Sequence, residues 1–411
     1  MDTLPSNIIF NIFSRVPVKC LARSRCVSKV WCNYIDDRYL VTIHDKRLVE
    51  EPTPILYHPH LCREKITRSL CFHVIESKQT AGASDSYVLE AKEGPFLEYL
   101  RKTPLSQSSR VKIRVQGSCN GLICLLQDDS EVVTSLVVVH PLRKECYELP
   151  PLSVHFDETM FRDSCGLGFD ASANTLKMVC VLCKSNKVSN NPDVVKKYLC
   201  TMVHVFGTNS WREIPQVPYY PITGNAVFVN GCLHWLVSHL DVPPQDGGRP
   251  VIWFDVEKEE FGLIDPPKSM CDLWRTYSCG YDQVVDLNGE VGYMCTRTME
   301  FWLLNHKKEW VPHCRFAKEI TPLSDYIYVM GCWNNDGDIL IKSISNGRYA
   351  FFVYNLKGGV LQKTNIAGPN DAWSPSFIMY PNTLTSIHGI NTDSTFSMKK
   401  TILKKSCQHV T

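Results

Sequence analysis

The chain has 411 residues, 44% of them hydrophobic and 21% charged, with 44 Lys plus Arg against 42 Asp plus Glu and a formal net charge of +2. Such proportions exclude a wholly disordered or collagen-like chain. The near-neutral balance offers phosphate no general field, so no nucleic-acid partner is expected. No run of about 18 apolar residues occurs, so no membrane-spanning helix is expected either. The start mixes Asp2, Ser6 and Asn7 among its apolar residues and lacks the basic opening of a secretory leader.

The first forty or so residues carry a helical pattern. Pro5 suits a first helical turn, where its missing N–H costs nothing. Ile8, Ile9, Ile12 and Phe13 follow at helical spacing until Arg15-Val16-Pro17 stops them. A second helix is expected over 18–25 with Leu21 on its apolar side, and a third begins after Ser28 as N-cap, with Trp31 and Ile35 inward. Ile8, Ile9, Ile12, Phe13, Val16, Val18, Leu21, Val27, Val30, Trp31 and Ile35 are more apolar side chains than three short helices can hide among themselves. A module below about 40 residues rarely stabilises itself without a metal, disulfides or a partner. With no metal-ligand set in the segment, part of its surface is expected to be covered by a second protein, beyond what docking on the rest of the chain covers.

Leu4-Pro5, Ile8-Ile9, Ile12-Phe13, Arg15-Val16-Pro17-Val18-Lys19, Leu21, Arg23, Arg25-Cys26-Val27-Ser28-Lys29 and Trp31 together resemble an F-box motif of the plant type. The resemblance covers about the first tenth of the chain. It implies contact with a Skp adaptor through Leu4, Pro5, Ile8, Ile12, Val18, Leu21, Val27 and Trp31.

Beyond residue 45 the pattern changes to short strands. Tight-turn signals stand at Asn120-Gly121, Asn230-Gly231, Asn288-Gly289 and Asp336-Gly337, with a polar turn at Ser172-Ala173-Asn174. Successive turns lie 54, 56, 58 and 48 residues apart, a period near that of kelch-type propeller blades. Each unit ends in a hairpin of two strands, as in 203–206 before 211–214 and 301–304 before 310–311. Five four-stranded units are visible. Strand-like pieces at 54–58 and 69–75 are expected to pair with 376–387 as a sixth blade that closes the ring, since unpaired edges invite aggregation. The polar stretch 76–109 reads as mostly loop.

Gly117-Ser118-Cys119-Asn120-Gly121-Leu122, Gly166-Leu167-Gly168-Phe169-Asp170, Gly207-Thr208-Asn209-Ser210-Trp211-Arg212 and Asn230-Gly231-Cys232-Leu233-His234-Trp235 resemble the F-box-associated domain that follows plant F-boxes. Gly-Gly doublets occur only in isolation, at Gly247-Gly248 and Gly358-Gly359, so the array is kelch-like rather than orthodox kelch. The expected organisation is α+β in two domains: a three-helix F-box over 1–45 and an all-β propeller of about six blades over 46–395. A basic tail over 396–411, with Lys399, Lys400, Lys404 and Lys405, completes it.

Chemistry is sparse in this reading. The 19 cysteines are scattered through apolar runs, which suits reduced, buried thiols of the cytoplasm or nucleus. Cys180 and Cys183 have the spacing of a metal pair, but on a strand residues three apart face opposite sides. His140, His204, His234 and His306 occupy no equivalent position in the repeat and read as histidines satisfied by neighbouring backbone. Trp211, Trp235, Trp253, Trp302, Trp310 and Trp333 read as packing between blades. No cofactor, metal or catalytic site is expected. For recognition, the connections 185–197, 239–250 and 269–278 stand out, and the last carries Leu273, Trp274, Arg275 and Tyr277, types favoured at binding hot spots.

By resemblance to F-box proteins, the chain is expected to be the substrate receptor of an SCF-type ubiquitin ligase. Its Skp adaptor would link it to a cullin scaffold and a RING protein, while the propeller holds a target. Two alternatives stay open: an F-box scaffold or regulator outside a ligase, and a propeller enzyme whose ligands come from several blades.

Overall fold

The computed structural model describes residues 4–47, 53–62, 67–79, 87–100, 112–128, 135–140, 145–152, 163–184, 191–239, 248–267, 282–295, 299–316, 326–334, 336–345, 348–364 and 376–380. The expected basic tail over 396–411 lies outside them.

Four helices open the chain: α1 (Ser6–Phe13), α2 (Val18–Ser24), α3 (Lys29–Ile35) and α4 (Arg38–Arg47). Pro5 and Pro17 stand just before α1 and α2, and their carbonyls accept the first helical N–H groups, from Ile8 at 3.0 Å and from Cys20 at 2.9 Å. Ser28 caps α3 as its sequence predicts, its hydroxyl accepting from Trp31 N at 3.1 Å. The fourth helix is unforeseen in the three-helix expectation. It contributes Leu40 to a small core of Ile9, Phe13, Val18, Leu21 and Ile35, and its buried His44 donates from Nε2 to the Val16 carbonyl at 2.9 Å.

The remaining described residues form six four-stranded β units, with one short helix among them. Blade I joins β1 (Thr53–Cys62), β2 (Thr67–Gln79) and β3 (Tyr87–Leu100) to the last strand, β24 (Ser376–Tyr380), in the order β24-β1-β2-β3. Blade II holds β4 (Lys112–Cys119), β5 (Leu122–Asp128), β6 (Ser135–His140) and β7 (Glu145–Glu148). Blade III holds β8 (Ser164–Asp170), β9 (Thr175–Cys183), β10 (Leu199–Val205) and β11 (Arg212–Ile214), with α5 (Pro192–Lys196) between β9 and β10. Blade IV holds β12 (Ile222–Val229), β13 (Cys232–Val237), β14 (Val251–Asp255) and β15 (Glu260–Ile264). Blade V holds β16 (Asp282–Leu287), β17 (Glu290–Cys295), β18 (Glu300–Leu304) and β19 (Trp310–Arg315). Blade VI holds β20 (Tyr326–Cys332), β21 (Ile339–Ser345), β22 (Arg348–Asn355) and β23 (Val360–Lys363).

The closure expected from the sequence is present: β24 pairs antiparallel with β1, Ile55 opposite Ile378. The tight turns also fall where the sequence puts them, with both residues of Asn120-Gly121, Asn230-Gly231 and Asn288-Gly289 at positive φ. One expectation fails. Residues 76–79 continue β2, and 87–100 form β3 rather than loop. An outermost strand needs apolar residues on one face at most, so a polar composition does not argue against it.

The cores lie between blades, because each strand faces both ways. On β9, Leu176, Met178, Cys180 and Leu182 join the core shared with blade II. The intervening Val179 and Val181 join the core shared with blade IV. Equivalent cores lie between blades IV and V and between V and VI. Near the axis β12 pairs in parallel with β4, Ala226 opposite Gly117, so blades II and IV form one eight-stranded sheet. This close approach explains two motif glycines. A Cβ on Gly117 would meet the Ala226 carbonyl at 2.8 Å, and one on Gly166 would meet Ala226 Cβ at 2.5 Å and the Trp235 ring at 2.8 Å.

Candidate functional site

The small bundle presents an unpaired apolar face. Leu4, Ile8 and Ile12, spaced by four along α1 and its approach, are 41, 43 and 48% exposed. Ile9 and Phe13, one position further round, fill the core. Pro5 is exposed beside them, and Val27 and Val30 add a second exposed pair. Trp31 is half-buried, its ring 5.1 Å from that of Phe13. Two of the expected contact residues need correction. Val18 and Leu21 are buried in the bundle core, because α2 turns that side toward α1 and α3; they hold the face in shape and do not form it. An apolar stripe of this kind, left in water on a folded module, is what a protein partner covers.

Among the described residues no group of three or more His, Cys, Asp or Glu is placed to hold a metal ion. Cys180 is buried and Cys183 half-buried, on opposite faces of β9, which rules out their sharing one ion. Burial pushes the Cys180 thiol up. His204 accepts from the Tyr147 hydroxyl at 3.2 Å on Nε2 and donates to the Ser210 carbonyl at 3.2 Å from Nδ1. His234 donates from Nδ1 to the Val227 carbonyl at 3.3 Å. Burial lowers both imidazoles, that of His234 to about 4. These two are neutral, satisfied core histidines.

The tryptophans mostly serve as the sequence suggests. Trp235, Trp302 and Trp333 are buried. Trp211 donates its indole N–H to the Pro150 carbonyl of the preceding blade at 2.7 Å, and Trp310 does the same to Asp265 at 2.8 Å. Polar stitches reinforce them. Gln283 of blade V donates to the Ile327 carbonyl at 2.5 Å and accepts from Val329 N at 2.8 Å. Lys177 of blade III is buried between Asp170 and Glu259, each at 2.9 Å, and donates to the Val256 carbonyl of blade IV at 2.8 Å. The candidate recognition residues Leu273, Trp274, Arg275 and Tyr277 lie outside the described residues.

A family model for the F-box domain matches residues 1–42, and one described as the F-box associated beta propeller domain matches residues 66–395. The chain belongs to the F-box proteins with an associated β-propeller. An F-box protein of Arabidopsis thaliana is 26% identical over 65% of this chain and 61% of its own length, so this chain spans about three fifths of that relative. An F-box/kelch-repeat protein of the same plant is 22% identical over 90% of this chain and 96% of its own. The β-propeller domain of the trilobed protease from Pyrococcus furiosus aligns at 11% identity and a TM-score of 0.34, over 76% of this chain and 84% of that one. At that score the likeness adds nothing to the strand pairing. In this F-box protein the described end of 185–197, one of the three connections that stand out in the sequence, is α5, and beside it lies the approach to β12 at Tyr219, which no sequence signal marked.

Proposed function

We propose that this F-box protein is the substrate-recognition subunit of an SCF-type ubiquitin-protein ligase. Its F-box binds the Skp adaptor, through which a cullin scaffold and a RING protein join, and its propeller binds a target protein. The observation that carries the reading is the exposed Leu4–Ile8–Ile12 stripe on a helix whose other side is the bundle core. In this role the chain performs no chemistry. Its contribution is effective concentration, holding target lysines near the charged conjugating enzyme. The thirteen cysteines whose side chains are described form no disulfide, which supports a reducing compartment, cytoplasm or nucleus.

The test uses residues outside the core. Replacing Leu4 and Pro5 together by Ala removes exposed anchors worth about 2 kcal/mol or more each. Co-purification with the Skp adaptor is expected to be lost while the propeller's thermal transition stays in place. Undiminished co-purification overturns the adaptor assignment. Ubiquitination of a captured target by the reconstituted complex tests the ligase role itself.

A further inference from the structure

Strand direction gives the propeller two unlike ends. The inner strands β4 and β12 run parallel, and neighbours within each blade are antiparallel. Connections from first to second and from third to fourth strand therefore share one end, and all others share the opposite end. The first end carries the tight turns Asn120-Gly121, Asn230-Gly231 and Asn288-Gly289 and the short turns 171–174, 256–259 and 356–359. The second carries, among the described residues, Lys184, 191–198, 238–239, 248–250 and 265–267. Because β1 is antiparallel to the inner strand β24, β1 starts at the tight-turn end. Only residues 48–52 separate it from α4, a reach of about 20 Å at most. The F-box is thus tethered at the tight-turn end, and the other end points away from the tether.

At that other end the described residues build a defined surface on blades III and IV. Buried Val195 roots α5 in the core between these blades, leaving Val194 exposed. Lys196 Nζ lies 3.8 Å from the ring centroid of exposed Tyr219. Tyr219 leads into β12, whose pairing with β13 slips between Thr223 and Val227 and leaves Gly224 and Asn225 exposed. This bulge is pinned, since the Ser164 hydroxyl donates to the Gly224 carbonyl at 2.6 Å. It is also open: Gly224 sits at φ +80 with nothing within 4 Å of where a Cβ would stand. Bulges of this kind re-aim a strand where something binds. Lys184 is engaged by Glu213 at 3.7 Å. Lys196 and Lys197 have no carboxylate partner among the described residues, and Asp193 is the one acid on α5.

We propose that this surface docks the target protein through an acidic segment carrying an aromatic side chain. The acid would meet Lys196 and Lys197, and the ring would pack on Val194 and Tyr219 beside the bulge. The proposal rests on the receptor reading above and adds to it which end of the propeller is used and what chemistry it selects.

The test uses the full chain in complex with its Skp adaptor and a fluorescent random copolymer of glutamate and tyrosine as probe, read by anisotropy. Binding is expected to weaken with salt and to fall at least tenfold in the double variant Lys196→Glu with Tyr219→Ala. Lys258→Glu, at the tight-turn end, is expected to bind as the unaltered protein does. Absence of copolymer binding, equal binding by the double variant, or an equal loss in Lys258→Glu each overturns the proposal. Adaptor co-purification is scored separately: a complex that forms yet ignores the copolymer removes this surface and leaves the receptor reading standing.

Discussion

The two regions of this chain solve the same burial problem in opposite ways. The F-box bundle hides six side chains in one core and leaves a comparable set of large apolar groups, among them Leu4, Ile8, Ile12, Val27 and Val30, in water. The propeller repeats a two-sided core between successive blades and ties those interfaces with indole, amide and ammonium hydrogen bonds. One region is built to be completed by another molecule, the other to be complete. Apolar exposure is therefore informative where the internal core is small, and much less so on a surface backed by several cores.

Matched substitutions break or sharpen this contrast, beginning with the largest effect. Leu21→Ala in the bundle and Leu233→Ala in the propeller each truncate a fully buried leucine, at a cost of about 2–5 kcal/mol. A core as small as the bundle's rarely supplies more than about 3–5 kcal/mol in total. Leu21→Ala is thus expected to abolish hydrogen-exchange protection of α1–α4 and adaptor binding together. Leu233→Ala should lower the propeller's melting temperature by several degrees while unfolding stays cooperative. Retained protection in the Leu21 variant would show that the bundle is self-sufficient.

A smaller effect is expected at the ion cluster between blades III and IV. Burial pushes the Asp170 carboxyl up. The Ala173 N–H, the Lys177 ammonium and the Ser172 hydroxyl outweigh that and hold it at about 2. The folded value is below the unfolded one of about 3.9, so this stabilisation is fully present above that pH and is lost as pH falls toward 2. Asp170→Asn should destabilise the propeller at neutral pH by about 3 kcal/mol, since Lys177 loses one of two partners. Chemical denaturation should show the gap from the unaltered protein closing as pH approaches 2. A gap constant with pH contradicts the assignment. The mildest probe is thiol labelling of the native protein. Exposed Cys20 and Cys26 in the bundle should react within minutes at pH 8, and buried Cys124 and Cys180 only on unfolding. Fast labelling of Cys180 would show that the propeller opens.

Much of this contrast is legible in the sequence because its causes are local. Asn-Gly pairs specify their turns, so five blades follow from spacing, and the sixth with its closing strand follows from the strand-like pieces left over at the two ends of the domain. Strand alternation separates Cys180 from Cys183 without a structure. Other features depend on distant partners. Arg38–Arg47 mixes β-branched residues with charge and becomes a helix over Leu40 and His44 once the other three are in place. Val18 and Leu21 sit in a motif with exposed neighbours, and nothing in one sequence tells the inner side of α2 from the outer. The parallel contact of β4 with β12 joins segments about a hundred residues apart, and the bulge at Gly224 is pinned by Ser164, 60 residues before it; both are beyond the reach of any local signal.

The pairing of β24 with β1 has a consequence for how the protein is made. On the ribosome β1 emerges early, yet its inner neighbour lies more than 300 residues downstream. At 5–20 residues per second that delay is roughly 15–60 s. Throughout this interval β1 carries an open backbone edge, so a chain stalled or terminated before residue 376 leaves with that edge bare. The last strand thereby works as a proofreading step, since only translation past Tyr380 seals the product.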